Sequence, residues 1–291
     1  FPFKLLKSLF QAFNVVRNFK PDACIGVGGY ASGPVLFIAA LLGIKIFIQE
    51  QNSYPGITNK ILSHFAKKIF VAYDNLNLFF NPKKIILTGN PVRKDISIGL
   101  PPKPEALKFF NLSENKKTIL IIGGSLGART INEAIENSLH LFAENNIQVL
   151  WQTGKIYYDG IIDRTKNINT NHVKILQFIR EMNMAYSAAD IIISRAGALS
   201  ISELCIVGKP AILVPSPNVS EDHQTKNAMA LVTKNAAILV KDNEAKNKLG
   251  TVAVELLYDE QQQNKLAVHI KSSAKINAAN DIVTAIIAQQ K

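Results

Sequence analysis

The stretch IIISRAGALSISEL (191–204) begins as a strand and ends as a helix. Its β-branched run reads as a buried strand, and Leu199 to Leu204 open an amphipathic segment. Between them Ala196, Gly197 and Ala198 leave the backbone almost without side chains. A strand that turns straight into a helix is the repeating unit of a parallel α/β sheet. Two questions follow from it: what comes so close to this backbone that bulk is excluded, and what Glu203 holds.

Outward from this point the same alternation fills the chain. Toward the N-terminus strands are expected at 23–27, 45–49, 68–72 and 84–89, with helices between them. The segment NPVRKDISIGLPPKPEA (90–106) has four prolines and little periodicity, so it reads as a linker. The alternation then restarts, with strands expected at 118–124, 147–154, 173–178, 189–194, 210–215 and 236–240. EAKNKLGTVAVELLYD and AANDIVTAIIAQQ close the chain as helices. The fold class is therefore α/β, with two Rossmann-like, doubly wound domains facing one cleft and ligands at the carboxyl ends of their strands. The first domain opens on a helix, FPFKLLKSLFQAFNVVRNFKPD, where a doubly wound sheet opens on a strand. It is expected to be incomplete, with its first strands upstream of Phe1.

Composition narrows the classes of function. Of 291 residues, 47% are hydrophobic and 19% charged, which describes a chain with a sizeable core. Cys24 and Cys205 lie in apolar runs without metal-ligand spacing, as in a reducing compartment. No apolar run reaches the roughly 18–20 residues of a membrane span. The net charge of +11 suggests an anionic partner, such as a phosphorylated substrate, an anionic lipid surface or nucleic acid, or else only a lysine-rich solvated surface.

Three glycine-rich turns follow strands and precede helices, where backbone amides can face an anion. GVGGYASG (26–33) also matches a dinucleotide fingerprint through Gly26, Gly28 and Ala31, with Glu50 ending the next strand. Against that reading stand Tyr30 and Ser32, which crowd the turn. IIGGSLGARTIN (121–132) repeats the arrangement and adds the Ser125 hydroxyl; no Gly-Lys-Ser/Thr follows, so ATP hydrolysis is disfavoured. SRAGALSISE (194–203) contains a possible capping box, Ser200 to Glu203, worth on the order of 1 kcal/mol. A capping box leaves the Ala-Gly-Ala run unexplained. Small residues before a helix start let a diphosphate reach the amides at its positive end. A carboxylate one turn further in then suits the two hydroxyls of a ribose. SEDHQTKNA (220–228) starts another helix, with Ser220 as a possible N-cap, and offers His223, Gln224 and Asn227 to sugar hydroxyls. GNPVR (89–93) places Arg93 where the halves join, suited to a diphosphate. There is no D-x-D to hold a metal against a sugar nucleotide, nor H-E-x-x-H or G-x-S-x-G.

Taken in order, GVGGYASGP, EQNSYPGITNK, TGNPVR, GGSLGA, SRAGALSISE and DHQTKNA resemble the MurG family of peptidoglycan N-acetylglucosaminyltransferases. Each motif alone is weak; six in order are specific and cover essentially the whole chain. The resemblance implies a GT-B glycosyltransferase. It would move N-acetylglucosamine from UDP-N-acetylglucosamine to the C4 hydroxyl of undecaprenyl-diphosphate-linked N-acetylmuramoyl pentapeptide, with inversion and with neither metal nor cofactor. Residues 1–92 would form the acceptor and membrane-side domain and 93–275 the donor domain, with a helix at 276–291 crossing back to the first. Matching positions put Asn52, Arg93 and Ser125 along the donor and the backbone of Ile179 against uracil. Ala198, Leu199 and Ser200 would meet the diphosphate, Glu203 the ribose, and Gln224, with His223 beside it, the sugar. Gly28, Gly29, Tyr30 and Ser32 would face the acceptor diphosphate. The family's candidate base, a histidine in a GGTGGH loop, has no counterpart in this sequence, so no catalytic residue is assigned; His64 reads as structural or exposed. The alternatives are another UDP-sugar-dependent lipid glycosyltransferase, a nucleotide-sugar epimerase, or a donor-binding subunit without activity.

The resemblance also implies peripheral binding at the cytoplasmic face of the bacterial plasma membrane, with no nucleic-acid partner. The opening helix carries Phe3, Leu6, Phe10 and Phe13 on one stripe, beside Leu5, Leu9 and Val16, flanked by Lys4, Lys7, Gln11 and Arg17. Such a face either meets an anionic membrane or packs on the first sheet.

Overall fold

The computed structural model describes residues 2–168 and 172–289. The chain divides into two compact units, one formed by residues up to Val92 together with those from Lys275, the other by Arg93–Ala274.

In the first unit α1 (Pro2–Phe19), α2 (Ser32–Leu41) and α3 (Ile57–Leu62) alternate with β1 (Ala23–Gly26), β2 (Lys45–Glu50), β3 (Lys68–Val71) and β4 (Ile85–Leu87). The strands form one parallel sheet in the order β1-β2-β3-β4. Ile46, Ile48, Ile69 and Val71 alternate onto one face, where Leu36 and Ala39 of α2 and Val16 of α1 cover them. Helix α1 buries Ala12 and Val16 and leaves Phe3, Leu6 and Phe10 exposed. The expected single stripe is thus split between a packing face and an outward one.

In the second unit short α4 (Lys94–Ser97) and α5 (Lys103–Phe109) occupy much of the segment expected to be a plain linker. Pro102 and Pro104 explain the miss. Pro102 is the N-cap of α5 and Pro104 falls in its first turn, where proline costs no hydrogen bond. There follow β5 (Lys117–Ile122), α6 (Arg129–Glu144), β6 (Ile147–Gln152), α7 (Tyr158–Thr165), β7 (Val173–Leu176), α8 (Met182–Ala188), β8 (Ile191–Ser194), α9 (Ala198–Val207), β9 (Ala211–Leu213), α10 (His223–Val232), β10 (Ile238–Leu239), α11 (Asp242–Tyr258) and α12 (Glu260–Ser272). The sheet is parallel, in the order β10-β9-β8-β5-β6-β7. Its core joins Ile119, Ile121, Val149, Trp151, Ile191 and Ile193 to α6 and α11. Helix α13 (Ala278–Ala288) belongs to the first unit, where Ile282 packs on Phe47 and Phe70. The expected helix extends past it to 290–291, which lie outside the described residues.

Candidate active site

Strand order in the second sheet reverses between β5 and β8, and a doubly wound sheet binds its ligand at that switch point. Ile122 is level with Ser194 on one side and Gln152 on the other, and Gln152 is level with Leu176. The loops after β5, β6, β7 and β8 therefore leave one edge of the sheet side by side.

The loop Gly123–Ala128 is fixed by backbone packing. A Cβ on Gly127 would lie 2.0 Å from the Thr153 carbonyl oxygen, and one on Gly154 would lie 2.2 Å from the Gly127 nitrogen. Both glycines have positive φ, so nothing larger fits either position. Ser125 is exposed on this loop.

Helix α9 starts at Ala198, with Gly197 as an extended N-cap and no side-chain cap. Its first helical hydrogen bond runs from Ile201 N–H to Gly197 C=O. The capping-box reading is therefore overturned. Ser200 lies inside the first turn, and Glu203 is engaged elsewhere. Glu203 Oε2 accepts a 2.7 Å hydrogen bond from the hydroxyl of Tyr186, which is fully buried, and Oε1 lies 3.7 Å from Arg93 Nε. Burial pushes the Glu203 carboxyl above its ordinary value, against the Tyr186 hydrogen bond and the Arg93 charge, which pull it down. Arg93 also reaches the Arg180 carbonyl at 3.4 Å. Arg195, the one bulky residue in the turn, is spent on the Val214 carbonyl and on Asp242, whose other oxygen accepts from Thr130. That network pins the turn to the starts of α6 and α11.

The other second-unit residues expected along the donor lie in the loop after β7 and at the start of α10. Ile179 is buried, and its N–H donates 2.8 Å to Gln152 Oε1. Gln224 Oε1 accepts from Ser216 N–H at 2.9 Å, and His223 Nε2 lies 3.8 Å from Glu221. Helix α10 starts at His223 after Glu221 and Asp222, both at positive φ, so Ser220 is not its N-cap. Asn227 is not offered to a sugar: it is fully buried, its Nδ2 3.4 Å from the Ala196 carbonyl.

In the first unit Gly28 and Gly29 have φ of +94° and +77°, Tyr30 is 91% exposed, and Ser32 Oγ donates to the Gly29 carbonyl. Glu50 is 2% exposed. Its carboxylate accepts from the N–H and Nδ2 of Asn52, the N–H of Gly56 and Nδ2 of Asn59. A carboxylate so occupied within its own loop does not serve a dinucleotide ribose, and the fingerprint reading falls. The exposed ring of His64 pairs through Nδ1 with the Ile61 carbonyl of its own turn. Sequence reasoning missed Gln152, Tyr186 and the Arg195–Asp242 pair. A polar residue closing an apolar strand just before Thr-Gly was the signal for Gln152; nothing local marked Tyr186.

Two parallel Rossmann-type sheets, with glycine turns and a helix start N-capped by glycine at the switch point of the second, define a GT-B nucleotide-sugar enzyme. Residues 1–71 match the glycosyltransferase family 28 N-terminal domain and 118–284 its C-terminal domain. The chain belongs to that family, and within it to the MurG-type UDP-N-acetylglucosamine–N-acetylmuramyl-(pentapeptide) pyrophosphoryl-undecaprenol N-acetylglucosamine transferases. It is 53% identical to the enzyme of that name from Flavobacterium psychrophilum over 99% of this chain and 77% of the relative. It is 51% identical to that of Parabacteroides distasonis over 98% and 77%. Acinetobacter baumannii MurG superposes with a TM-score of 0.79 at 31% identity, over 99% of this chain and 79% of that one. The Neisseria meningitidis UDP-GlcNAc 2-epimerase bound to UDP-GlcNAc, at TM-score 0.71 and 16% identity over 98% and 81%, shares the fold.

Proposed function

We propose that the chain transfers N-acetylglucosamine from UDP-N-acetylglucosamine to the muramoyl sugar of undecaprenyl-diphosphate-linked muramoyl pentapeptide, converting lipid I to lipid II in peptidoglycan synthesis. The acceptor C4 oxygen bonds to the anomeric carbon as the bond from that carbon to the diphosphate breaks. The bonding pair leaves with UDP, the hydroxyl proton passes to a base, and a single displacement inverts the centre. The charge that grows on the departing diphosphate falls where Ala198, Leu199 and Ser200 open α9 and where the Ser125 loop presents amides, positioned before the reaction. Arg93 adds a positive charge on the same side of the second unit. Glu203 accepts the ribose hydroxyls, Ile179 meets uracil through its backbone, and Gln224 with His223 reaches the sugar. In the first unit Gly28, Gly29, Tyr30 and Ser32 receive the acceptor diphosphate.

The observation that carries this reading is Glu203, held by Tyr186 a turn inside a helix whose N-cap is Gly197. Charge-assisted hydrogen bonds of this kind suggest that Glu203→Ala weakens UDP and UMP alike by between about ten- and a hundredfold, sparing pyrophosphate. Calorimetry tests it. An equal loss for pyrophosphate, or none for UMP, removes the ribose role.

The acceptor is a lipid, and Phe3, Leu6 and Phe10 project from α1 among Lys4, Lys7 and Arg17. No helix of the described residues is long and apolar enough to cross a membrane. The exposed apolar and basic residues of α1 support peripheral binding at an anionic surface, which this reading assigns to the cytoplasmic face. Cosedimentation with vesicles should rise with anionic lipid and fall with salt; indifference to both refutes it.

A further inference from the structure

We infer that Gln152 is a positioning residue that straps the diphosphate-side loop to the base-side loop and thereby sets affinity for the uridine half of the donor. Gln152 ends β6 and is 4% exposed. Its Nε2 donates 3.0 Å to the Gly124 carbonyl in the loop after β5. Its Oε1 accepts at 2.8 Å from Ile179 N–H in the loop after β7. The neighbouring backbone repeats the bridge: Gly127 lies against Thr153 and Gly154, and Gly154 N–H donates to the Gln177 carbonyl at 3.1 Å.

The chemistry selects the side chain. One end of the strap meets a carbonyl and the other an N–H, so a neutral group with both donor and acceptor is required. A carboxylate lacks the donor, and asparagine is one methylene short for a span already at hydrogen-bond length. Removing the amide leaves the buried Ile179 N–H unpaired and the Gly124 carbonyl held only by Gly127 N–H at 3.1 Å, which lets both loops sample other conformations. A ligand then has to order them as it binds, and affinity falls by that cost.

The inference rests on the reading that the loop around Ile179 meets the base. The test uses the full chain with uridine and UDP as ligands. It combines calorimetry, the ¹⁵N amide resonance of Ile179, and amide hydrogen exchange. Two lost neutral hydrogen bonds predict that Gln152→Ala weakens uridine and UDP by about tenfold. Faster exchange should be confined to residues 124–127 and 177–181, with β5 and β8 protected as before. If Gln152→Ala does not fold, Gln152→Met, which keeps the length and volume, carries the same expectation. Exchange that quickens in these loops while uridine affinity stays within twofold overturns the inference. So does loss of affinity accompanied by faster exchange throughout the unit, because the role is then general stability. A wild-type Ile179 amide that does not shift with uridine overturns the base-loop reading itself, a result distinct from the other two.

Discussion

The glycine turns GVGGYASG of the first unit and GGSLGA of the second are interchangeable as sequence patterns, yet they are built in opposite ways. In GGSLGA, Gly127 and Gly154 interlock backbone against backbone, and a single methyl at either position has nowhere to go. In GVGGYASG, a Cβ on Gly29 meets nothing within 4 Å, and Tyr30 stands in solvent. What holds the first unit's nearby loop is a side chain: Glu50 gathers donors from Asn52, Gly56 and Asn59. The carboxylates differ in the same sense. Glu50 is consumed by its own loop, whereas Glu203 is held by one phenol and one arginine, which leaves acceptor capacity for a ligand. A site closed by backbone contact is rigid before the ligand arrives, which suits a donor gripped through its phosphates. A turn in solvent suits the end of a large acceptor.

The comparison breaks most visibly at the glycines. Gly127→Ala forces the loop off Thr153 and should cost about 3 kcal/mol of stability or UDP binding, through overpacking and a strained φ. Gly29→Ala meets strain of φ alone and should cost only about 1 kcal/mol of stability. UDP affinity should not change, because Gly29 lies outside the unit proposed to hold the donor. Thermal melts and calorimetry on the pair check this. Equal effects at both positions would mean the two turns are built alike after all.

Much of this was legible in the sequence. The β-branched runs marked the strands because parallel strands covered on both faces must be continuously apolar. The glycine turns marked the sheet edge that carries the site. What stayed hidden depended on long-range partners. Ser200-Ile-Ser-Glu203 satisfies the local rule for a capping box, but Tyr186, seventeen positions away, takes the carboxylate instead. Asn227 reads as a sugar ligand until burial puts it under Ala196. Gln152 reads as the polar end of a strand, and only the register shows that it lies level between two loops. The prolines of 90–106 signal a helix start as well as a break, and only the break is apparent from spacing.

The smallest expected effect lies in the pH dependence of Glu203. Burial raises its carboxyl above the ordinary value, and the Tyr186 hydrogen bond is the largest influence pulling it back. Tyr186→Phe removes that bond and leaves the burial, so the folded value should move further up. Two consequences have opposite signs. The proposed ribose role needs the ionised carboxylate, so uridine affinity should fall as pH is lowered through the folded value. In Tyr186→Phe that fall should begin at higher pH, and Glu203→Gln should abolish it. Stability runs the other way: between the unfolded and the raised folded value the native state binds more protons, so this group's contribution is present at low pH and lost as pH rises. The window should widen upward in Tyr186→Phe. Uridine, having no phosphate of its own to titrate, is the ligand to use, with calorimetry across the acidic range. A profile in Tyr186→Phe that superposes on the wild type would mean that the phenol packs beside Glu203 without governing its charge. The carboxylate would then be held by Arg93 alone, and the contrast with Glu50 would rest on burial rather than on partners.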